Sequence, residues 1–397
     1  MRICIVYDCL FPYTVGGAER WYRNLAERLD AEGHEVSYLT LRQWPRRERP
    51  ALGGGTRVWT AGPRMGLYTR GGRRSTLPPL VFGAGVLVHL ARHGRRYDVV
   101  HTASFPYFSL LAAAAARPLG RYRLVVDWHE VWSLHYWREY LGRLGGTIGY
   151  AVQLLCARIP QRAFCFSRLY ARRLREERLA GEVTVLEGEY RGSPEPLEPQ
   201  QPQQLVVFAG RMIPEKRAPV GVAAVVEAAA RVDGLRARFF GDGPERAAVL
   251  AAIAAAGAES YISAPGFVAA EEVEAALRAA LCMLLPSRRE GYGMIVVEAA
   301  ARGTPSVVVA GEDNAATELI EPGVNGFIVE NATPAAIAEG IVRVRDAGMA
   351  LRESTSAWYG RNARRLSIEA SLETVLASYR PDRPAAAPAP APDGSSS

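Results

Sequence analysis

Short apolar segments alternate with helical patterns along most of the chain, and this alternation restricts the fold more than any other feature. In the first half the predicted strands are Ile3–Tyr7, Glu35–Thr40, Val99–Thr102 and Leu124–Asp127. The second half repeats the pattern, with predicted strands at Leu205–Ala209, Ala237–Phe240, Cys282–Leu285 and Ser306–Val309. Strands that alternate with helices form parallel βαβ units, because a parallel connection needs a long crossover. The sequence therefore predicts an α/β protein with doubly wound parallel sheets.

A proline- and glutamine-rich segment at residues 192–202 separates the two halves. Such composition is typical of a linker. We expect Rossmann-like domains at residues 1–190 and 205–366, joined by a linker at 191–204. We also expect a helix at 367–380 that packs back on the first domain, and a disordered tail at 381–397. Ligands of open α/β sheets bind at the carboxyl ends of the strands, so two such domains predict a cleft between them.

Composition excludes several protein classes. Hydrophobic residues make up 49% and charged residues 22% of 397 residues, which is typical of a globular protein. No apolar run reaches the ~18 residues of a spanning helix, and the N-terminus is typical of a buried strand, not a signal peptide. Scattered cysteines without a C-x-x-C pair indicate buried free thiols, which favours a cytoplasmic protein and disfavours a disulfide scaffold or a zinc site. They are Cys4, Cys9, Cys156, Cys165 and Cys282.

The charge is unevenly distributed. Residues 1–190 carry 28 Lys and Arg against 16 Asp and Glu, whereas the remainder carries 20 against 25. A basic first half indicates an anionic partner, such as a phosphorylated acceptor or an anionic membrane surface, although an arginine-rich solvated surface explains it equally well. Arginines cluster at Arg64, Arg70, Arg73 and Arg74, and again at Arg92, Arg95 and Arg96. No basic motif with interleaved aromatics occurs, so we expect no nucleic-acid partner.

The most informative motif runs from Pro286 to Glu298, after an apolar strand and into a helix. Gly291 and Gly293 allow close approach of the backbone to a ligand. The amides of Met294 and Ile295 lie at a predicted helix N-terminus, which favours phosphate. Two carboxylates eight residues apart, Glu290 and Glu298, are too distant for a paired acid and base. They are suited to hydrogen bonds with hydroxyls at two points of one extended ligand. Tyr292 lies between the two glycines of this loop.

A second motif, Ala209-Gly210-Arg211-Met212-Ile213-Pro214-Glu215-Lys216-Arg217, follows the first strand of the second half. Arg211 and Lys216 there could bind a diphosphate, whose charge grows as it leaves. Lys216 is the single lysine among 48 cationic residues, and a compact ammonium suits phosphate. A helix-start loop with surface charges is the alternative.

The first half carries two further loops of interest. Val15-Gly16-Gly17-Ala18-Glu19 follows the first strand and opens a helix, so backbone amides could reach phosphates or an acceptor. It lacks the G-x-G-x-x-G spacing of a dinucleotide fingerprint. Asp127-Trp128-His129-Glu130 ends another strand, and its histidine is either a ligand-binding group or a satisfied core histidine. The aromatic stretch that follows suits core packing, sugar stacking or membrane-interface anchoring.

Taken together, these motifs resemble the retaining glycosyltransferases of family 4, or glycosyl transferases group 1, which have the GT-B fold. The resemblance covers nearly the whole chain and is greatest in the second half. The motifs that carry it are Gly210-Arg211, Lys216, Phe240-Gly241-Asp242-Gly243-Pro244, Gly266-Phe267-Val268, the Glu290–Glu298 element, Gly303-Thr304-Pro305 and Gly323-Val324-Asn325-Gly326-Phe327.

The resemblance implies a role for each site residue. The first domain would bind the acceptor and the second the nucleotide sugar. The catalytic set would be His129, Arg211, Lys216 and Glu290. The donor-binding set would be Gly16, Gly17, Gly210, Gly243, Phe267, Gly291, Tyr292, Gly293, Met294, Ile295 and Glu298. Glu290 would bind the donor sugar, Glu298 the ribose, and Arg211 and Lys216 the diphosphate.

The implied reaction moves a hexose-type sugar from a nucleotide diphosphate sugar, UDP in preference to GDP, to a hydroxyl with retention. A lipid-linked or cell-surface glycan precursor is one candidate acceptor. No D-x-D motif occurs in the first half, so we expect no metal and no cofactor beyond the donor. The protein would be cytoplasmic, with peripheral contact at the inner membrane face as one option. The alternatives are a sugar-nucleotide epimerase-like enzyme on the same fold and a non-catalytic binding protein.

Overall fold

The computed structural model describes residues 1–14, 16–45, 47, 48, 50, 52–67 and 75–379. Within these ranges the strands are β1 (Arg2–Val6), β2 (Glu35–Thr40), β3 (Arg57–Thr60), β4 (Val99–Ala103), β5 (Arg123–Trp128), β6 (Gln161–Cys165), β7 (Gly181–Val185), β8 (Leu205–Ala209), β9 (Arg236–Phe240), β10 (Ile262–Gly266), β11 (Cys282–Leu285), β12 (Arg289–Glu290), β13 (Ser306–Val309), β14 (Asp313–Asn314) and β15 (Gly326–Val329). The α-helices are α1 (Gly17–Ala31), α2 (Leu77–His93), α3 (Tyr107–Gly120), α4 (Leu134–Ala157), α5 (Arg168–Glu176), α6 (Ala218–Ala229), α7 (Arg246–Ala255), α8 (Ala270–Ala279), α9 (Met294–Ala300), α10 (Pro334–Leu366) and α11 (Ile368–Tyr379).

The first sheet has seven strands in the order β3-β2-β1-β4-β5-β6-β7, and every pairing is parallel. The strand order reverses beside β1, so consecutive crossovers run in opposite directions on either side of it. Right-handed crossovers then place α1 on one face of the sheet and α2, α3, α4 and α5 on the other. The central strands are apolar and almost fully buried because helices cover both faces.

The second sheet has six parallel strands in the order β10-β9-β8-β11-β13-β15. A separate two-stranded parallel sheet pairs β12 with β14, which aligns Arg289 with Asp313 and Glu290 with Asn314. The Asn314 side chain fixes this small sheet, because its amide donates to the carbonyls of Ser287 and Val309. The loop after β11 is therefore held rigidly at the carboxyl edge of the second sheet.

The chain crosses between the two sheets twice, and the two crossings pair with each other. The amide of Tyr190 donates to the carbonyl of Leu366 over 3.1 Å, and the amide of Ile368 donates to the carbonyl of Tyr190 over 2.9 Å. Beyond the second crossing, α11 lies against the first sheet, where Tyr379 hydrogen bonds to His101 of β4. Both connections between the sheets thus lie side by side.

The predicted fold class is confirmed, since both sheets are parallel and doubly wound. Two long helices add to the predicted pattern. The aromatic stretch after His129, where no helix was predicted, forms the long helix α4, and α10 runs to Leu366, the expected end of the second domain. Each contains one glycine with non-helical backbone angles, Gly142 and Gly348 respectively. All five cysteines are buried and free, as predicted.

Several predictions fall outside the described residues. They are the arginines at positions 70, 73 and 74, the residue Val15 of the Gly-Gly loop, and the tail 381–397. Among the helices that the structure describes, none is long and apolar enough to cross a membrane.

Candidate active site

The carboxyl ends of the two sheets face each other, and the loops after β5 and β11 meet there. A Cβ built on Gly291 would lie 3.1 Å from the carbonyl oxygen of His129 and 3.5 Å from Cγ of Glu130. A side chain at position 291 would therefore press against the first domain. The structure thus brings the Glu290 loop into van der Waals range of the His129 loop.

Lys216 and Glu290 form an ion pair at the centre of this junction. Lys216 Nζ donates to Glu290 Oε1 over 2.5 Å, and the side chains are 22% and 9% exposed. Lys216 lies on a short 3₁₀ helix after β8, and the main chain of this loop also reaches the Glu290 loop, since the amide of Arg288 donates to the carbonyl of Glu215. The structure therefore joins the two motifs that the sequence places 74 residues apart.

The turn before α9 has the geometry of an anion site. Gly293 has φ 104° and ψ 46°, a left-handed conformation that favours glycine. The amides of Met294 and Ile295 follow it in the first turn of α9, where amides have no intrahelical acceptor. Tyr292 is directed away from this turn, because its hydroxyl donates to the carbonyl of Glu187 over 2.7 Å. Tyr292 can therefore contact a donor through its backbone, while its side chain ties the turn to the first domain.

The loop after β9 supports the loop after β8. A Cβ on Gly243 would come within 2.5 Å of the carbonyl oxygen of Met212, and one on Gly241 within 1.9 Å of the carbonyl oxygen of Gly210. Both glycines therefore allow two backbones to approach closely, which is a packing reason for Gly243 that needs no ligand. Arg211, which lies between Gly210 and Met212 in the sequence, is exposed and forms no ion pair with another residue that the structure describes. Phe267, after β10, is 75% exposed.

Glu298 lies on α9, half-buried, and burial raises the pKa of its carboxyl above the ordinary value. The positive charges of two arginines oppose this shift. Arg302 lies just after α9, and Arg20 lies on α1 of the first domain. Arg20 is exposed, and no sequence motif marks it as a site residue. Its interaction with Glu298 places the start of α1 close to the proposed ribose residue.

His129 directly follows β5, at the carboxyl edge of the first sheet beside the cleft. Its ring stacks on Phe166 with centroids 4.4 Å apart, and its Nε2 makes no hydrogen bond to any residue that the structure describes. Burial lowers the pKa of His129 to about 4, against a smaller opposite effect of Asp127. The imidazole is therefore neutral at neutral pH, and its unpartnered Nε2 is buried instead of exposed to the cleft.

Asp127 lies behind His129 and is fully buried. Trp21 Nε1 donates to its Oδ2 over 2.7 Å, and His101 Nε2 lies 2.8 Å from its Oδ1. Burial alone would raise the pKa of Asp127, but the charge and hydrogen bond of His101 hold the pKa below its ordinary value. Asp127 is thus an internal anchor for the β5 loop and is not placed to contact an acceptor.

Gly16 and Gly17 begin α1 at the carboxyl end of β1. A Cβ on Gly16 would come within 2.4 Å of Glu19 Oε2, whereas one on Gly17 would meet no atom within 4 Å. Gly17 is exposed, so its backbone is accessible from the cleft. The structure gives Gly16 an intrachain packing role and leaves Gly17 open toward a ligand.

Sequence reasoning missed a cluster that joins the two domains beside Glu290. Arg289 of β12 binds the carboxylate of Glu130, and its guanidinium lies over the rings of Trp132 and Tyr136 at 4.7 and 4.6 Å. Tyr136 in turn donates to Glu215 over 3.0 Å. From sequence, Trp132 and Tyr136 belong only to the aromatic stretch after Glu130, and no pattern indicates that these residues meet Arg289 across the domains.

Tyr170 of α5 is a second missed residue. Its buried hydroxyl lies 2.9 Å from the carbonyl oxygen of Asp313 and 3.2 Å from that of Glu290. It therefore fixes the backbone of Glu290 from the first domain. No sequence pattern marks it, because Tyr170 lies on an ordinary amphipathic helix.

No group of three or more His, Cys, Asp or Glu in the described part of the chain is arranged to hold a metal ion. Cationic side chains near the cleft include those of Arg20, Arg211 and Lys216. Together with the α9 amides they make the cleft suited to an anionic ligand.

Two family models match the chain. The model described as Glycosyltransferase Family 4 matches residues 15–218, slightly more than half of the chain. The model described as Glycosyl transferases group 1 matches residues 203–346.

Curated relatives match part of the chain. D-inositol 3-phosphate glycosyltransferase of Acidothermus cellulolyticus is 31% identical over 187 residues, which are 44% of this chain and 40% of that protein. Alpha-D-kanosaminyltransferase of Streptomyces kanamyceticus is 30% identical over 146 residues, 36% of each chain. The matched segments thus span well under half the length of these relatives.

Solved structures match nearly the whole chain in fold. Sucrose-phosphate synthase from Thermosynechococcus elongatus has a TM-score of 0.76 at 18% identity, covering 96% of this chain and 98% of that one. Anabaena HepE in complex with UDP has a TM-score of 0.69 at 18% identity, covering 95% and 99%. These matches show a GT-B fold. With the family model that spans more than half of its residues, the chain belongs to glycosyltransferase family 4.

Proposed function

We propose that this protein is a retaining glycosyltransferase that moves a hexose-type sugar from a nucleotide diphosphate sugar to an acceptor hydroxyl. The observation that carries the proposal is the Lys216–Glu290 pair beside the left-handed turn at Gly293. A cation, a carboxylate and free helix amides lie together there, opposite the neutral imidazole of His129. This set offers one group for each part of a sugar diphosphate.

In this proposal the diphosphate is bound by Arg211, Lys216 and the amides of Met294 and Ile295. Negative charge builds on the diphosphate as the bond to the sugar breaks, so fixed cations and amide dipoles stabilise the transition state more than the ground state. Removing one such donor from an enzyme costs about 10²–10³ in kcat. Lys216 also neutralises Glu290, which would otherwise lie close to an anionic leaving group.

Glu290 and His129 would position the sugar. The Glu290 carboxylate retains acceptor capacity beyond its bond to Lys216 and can accept from sugar hydroxyls. His129 would hydrogen bond another hydroxyl once the neighbouring loops move to expose its Nε2, which is buried and has no partner among the described residues. Glu298 would accept from the ribose, and backbone groups around Phe267 would meet the base. Gly210 and Gly243 would act indirectly, by letting the two loops pack closely.

The neighbouring carboxylates favour a same-face substitution over a covalent glycosyl-enzyme. Asp127 is buried against His101 and Trp21, and Glu130 is bound by Arg289. Glu290 itself is paired with Lys216. None of these three is free to act as the nucleophile of a two-step mechanism. These contacts support the mechanism that the family resemblance implies, in which the leaving diphosphate takes the acceptor proton and the new bond forms on the face that it vacates.

The donor base and the domain roles are part of the proposal. A UDP-sugar donor is supported by the matched fold of Anabaena HepE, which was solved with UDP and with UDP-glucose. The second domain, 205–366, would hold the donor, since Glu290, Lys216 and Arg211 all belong to it. The first domain, 1–190, would bind the acceptor hydroxyl beside His129 and Gly17, and closure about the 191–204 linker would exclude water.

The test is nucleotide release from UDP-, GDP-, ADP- and dTDP-sugars with a chelator present. We expect slow release from one donor, lost in Glu290→Gln and Lys216→Ala and unchanged in Glu259→Gln, an exposed control on the second domain. Isomerised sugar nucleotide without release would instead indicate an epimerase-like reaction. Calorimetric binding of a nucleotide without turnover in the presence of candidate acceptors would indicate a binding protein.

A further inference from the structure

The outer face of the first domain exposes more large apolar side chains than any other part of the described structure. They lie on three neighbouring helices, which we call the α2–α4 face: Leu77, Leu80, Leu87, Val88, Phe108, Leu119, Leu141, Leu144, Ile148 and Leu155. Leu144 is 77% exposed and Ile148 57%. A contiguous exposed apolar surface of this kind marks an interaction site in a folded protein.

The three helices are adjacent. They cover the same side of the first sheet, because their crossovers run in one direction. Gly83 of α2 lies so close to α3 that an added Cβ would come within 2.6 Å of Phe108 Cβ. On the other side of α3, Tyr107 donates to Gln153 of α4 over 2.8 Å. The apolar positions therefore form neighbouring stripes on one surface.

The spacing within each stripe follows one helix face. On α2 the exposed apolar residues recur at 77, 80, 84, 87, 88 and 91, and on α4 at 144, 148, 151 and 155. This is the periodicity of a continuous helical stripe, and here it faces outward instead of toward the core. The core-facing stripe of α2 is separate and includes Phe82, Val86 and Leu90. Both sides of α2 are thus apolar, although only one packs on the sheet.

Charge on this face has a single sign. No Asp or Glu occurs anywhere in α2, in α3 or in residues 140–157 of α4. Arginines gather where these parallel helices end: Arg92 in the last turn of α2 with Arg95 and Arg96 just after it, Arg121 and Arg123 after α3, and Arg158 after α4. Four of the arginines line one open groove between α3 and α4, together with Leu155: Arg117, Arg121, Arg123 and Arg158.

The helix dipole does not account for this pattern. It favours cations in the last turn of a helix, but it equally favours acidic residues in the first turn. The first turns of α2, α3 and α4 contain none. In addition, the arginines at the groove form no ion pair with another described residue. Helix stability therefore does not explain the absence of acidic residues. The absence instead gives this surface a charge of one sign.

We propose that the α2–α4 face docks on an anionic lipid surface, with its leucines in the headgroup region and its arginines on lipid phosphates. A second copy of this chain is disfavoured, since two such faces would bring arginines together without any carboxylate to pair them. A protein partner is disfavoured because the stripes offer Leu, Val and Ala and lack the hydrogen-bonding groups found in protein interfaces. Apolar stripes flanked by arginine match the requirements of interfacial membrane binding.

The location of α4 links this surface to the cleft. The first turns of α4 reach the second domain, where Glu139 pairs with Arg288 and Tyr136 with Glu215. The same helix then continues past Gly142 into the exposed stripe. The α2–α4 face therefore adjoins the cleft at the start of α4, whereas its arginines lie at the opposite edge of the sheet, where the helices end. Docking itself does not depend on the proposed transferase activity.

The experiment is flotation of the full chain with phosphatidylcholine vesicles that contain or lack phosphatidylglycerol, at low and high salt. We expect binding only to the anionic vesicles, weakened by salt. Leu144→Gln with Ile148→Gln, and separately Arg121→Gln with Arg158→Gln, should each weaken binding about tenfold or more. The matched controls outside the first domain, Leu197→Gln with Leu250→Gln and Arg278→Gln with Arg361→Gln, should bind as the unchanged chain does.

Equal binding to both kinds of vesicle, no binding at low salt, or unchanged binding by the variants would overturn the proposal. So would a dimer in sedimentation equilibrium that the Leu144 and Ile148 changes dissociate, since the face would then be a self-interface. Circular dichroism checks that each variant is folded. Nucleotide release measured without vesicles tests the proposed function separately. The docking proposal and the proposed transferase function can therefore be refuted independently.

Discussion

Lys216 shows how a single residue links composition to chemistry. The chain uses arginine almost everywhere, yet its one lysine pairs with Glu290 at the centre of the candidate site. A guanidinium is larger than an ammonium and presents a planar fork of donors, whereas this position places one donor between a carboxylate and a phosphate site. The size and shape of the cation therefore matter at this position, and not its charge alone.

We expect Lys216→Arg to lower kcat/KM for the donor about tenfold or more, because the larger fork displaces Glu290 from its position. Steady-state kinetics of nucleotide release measures this. Arg211→Lys is the matched control, and its effect should be smaller since Arg211 is exposed. Equal activity of Lys216→Arg and the unchanged protein would show that only the charge is needed.

Glu189 gives a prediction for pH. Burial, with a further contribution from the Asp127 charge, raises the pKa of Glu189 to about 8 from an ordinary value near 4.5. The folded state therefore holds this proton more tightly than the unfolded state. Its contribution to stability is complete below the unfolded pKa and is lost as pH rises through about 8.

We expect Glu189→Gln to gain stability relative to the unchanged protein as pH rises from 5 to 9, by about 2 kcal/mol or more. Denaturant unfolding at the two pH values measures the difference. Glu259→Gln, an exposed control, should show no such trend. If the two variants change in parallel, the Glu189 carboxyl is ionised in the folded protein.

The sequence predicted which loops carry the site residues but not which side chains meet. Strand ends can be located from apolar runs, so Lys216, Glu290 and His129 could all be assigned to one cleft. Side-chain direction was less predictable. The Tyr292 hydroxyl binds the Glu187 carbonyl, and the space around Gly243 is filled by Met212. Both outcomes depend on contacts between loops that are distant in the sequence.

Among the helices, α4 was missed by the sequence patterns. Four glycines lie within Leu134–Ala157, and glycine lowers helix propensity by about 1 kcal/mol relative to alanine. The structure explains two of them. A Cβ on Gly146 would come within 2.3 Å of the Trp137 carbonyl oxygen, and one on Gly149 within 2.5 Å of the Trp137 ring. Tertiary packing against Trp137 thus selects glycine where local propensity would not.

The turn into α9 gives a prediction at the same scale. Gly293→Ala should destabilise the protein by about 1 kcal/mol through its positive φ, and by more because the new Cβ would lie 2.5 Å from that of Ala316. Because this shift moves the first amides of α9, donor affinity should fall as well. Thermal unfolding and calorimetry with the nucleotide measure the two effects.

Gly234→Ala is the control for backbone strain. Gly234 has φ 70°, but a Cβ there would meet no atom within 4 Å. The variant should therefore lose a similar ~1 kcal/mol of stability while binding nucleotide normally. If Gly293→Ala also retained full donor affinity, the α9 amides would have no part in binding the diphosphate.

At the scale of the whole molecule, the relation between the two domains could not be predicted from sequence. The linker was evident from its prolines, yet the pairing of Tyr190 with Leu366 and Ile368 joins segments far apart in the chain. The same is true of Glu318, whose carboxylate accepts from the amides of Arg168 and Leu169 at the start of α5. Each contact requires the domains to be already docked, which periodicity does not encode.

The contact between Arg289 and the Glu130 loop is best placed to hold the cleft closed. Arg289 is largely buried between Trp132 and Tyr136. Burial would lower the pKa of its guanidinium, but the acidic groups of Glu130, Tyr136, Tyr170 and Glu215 together raise that pKa above the ordinary value. Arg288, one residue earlier, forms a two-point pair with Glu139 that is far more exposed. Two neighbouring arginines thus bridge the same domains in different environments.

Arg289→Lys keeps the charge but loses the planar contact with two rings, so the closed arrangement should weaken. We expect a larger radius of gyration in X-ray scattering of the donor-free protein and a kcat/KM lowered about tenfold, because the site must then be assembled at each turnover. Arg288→Lys should change both quantities little, since an exposed pair contributes only about 0–1 kcal/mol. If the two variants have the same radius of gyration and differ only in kcat/KM, Arg289 acts locally on Glu290, and other contacts between the domains hold the cleft closed.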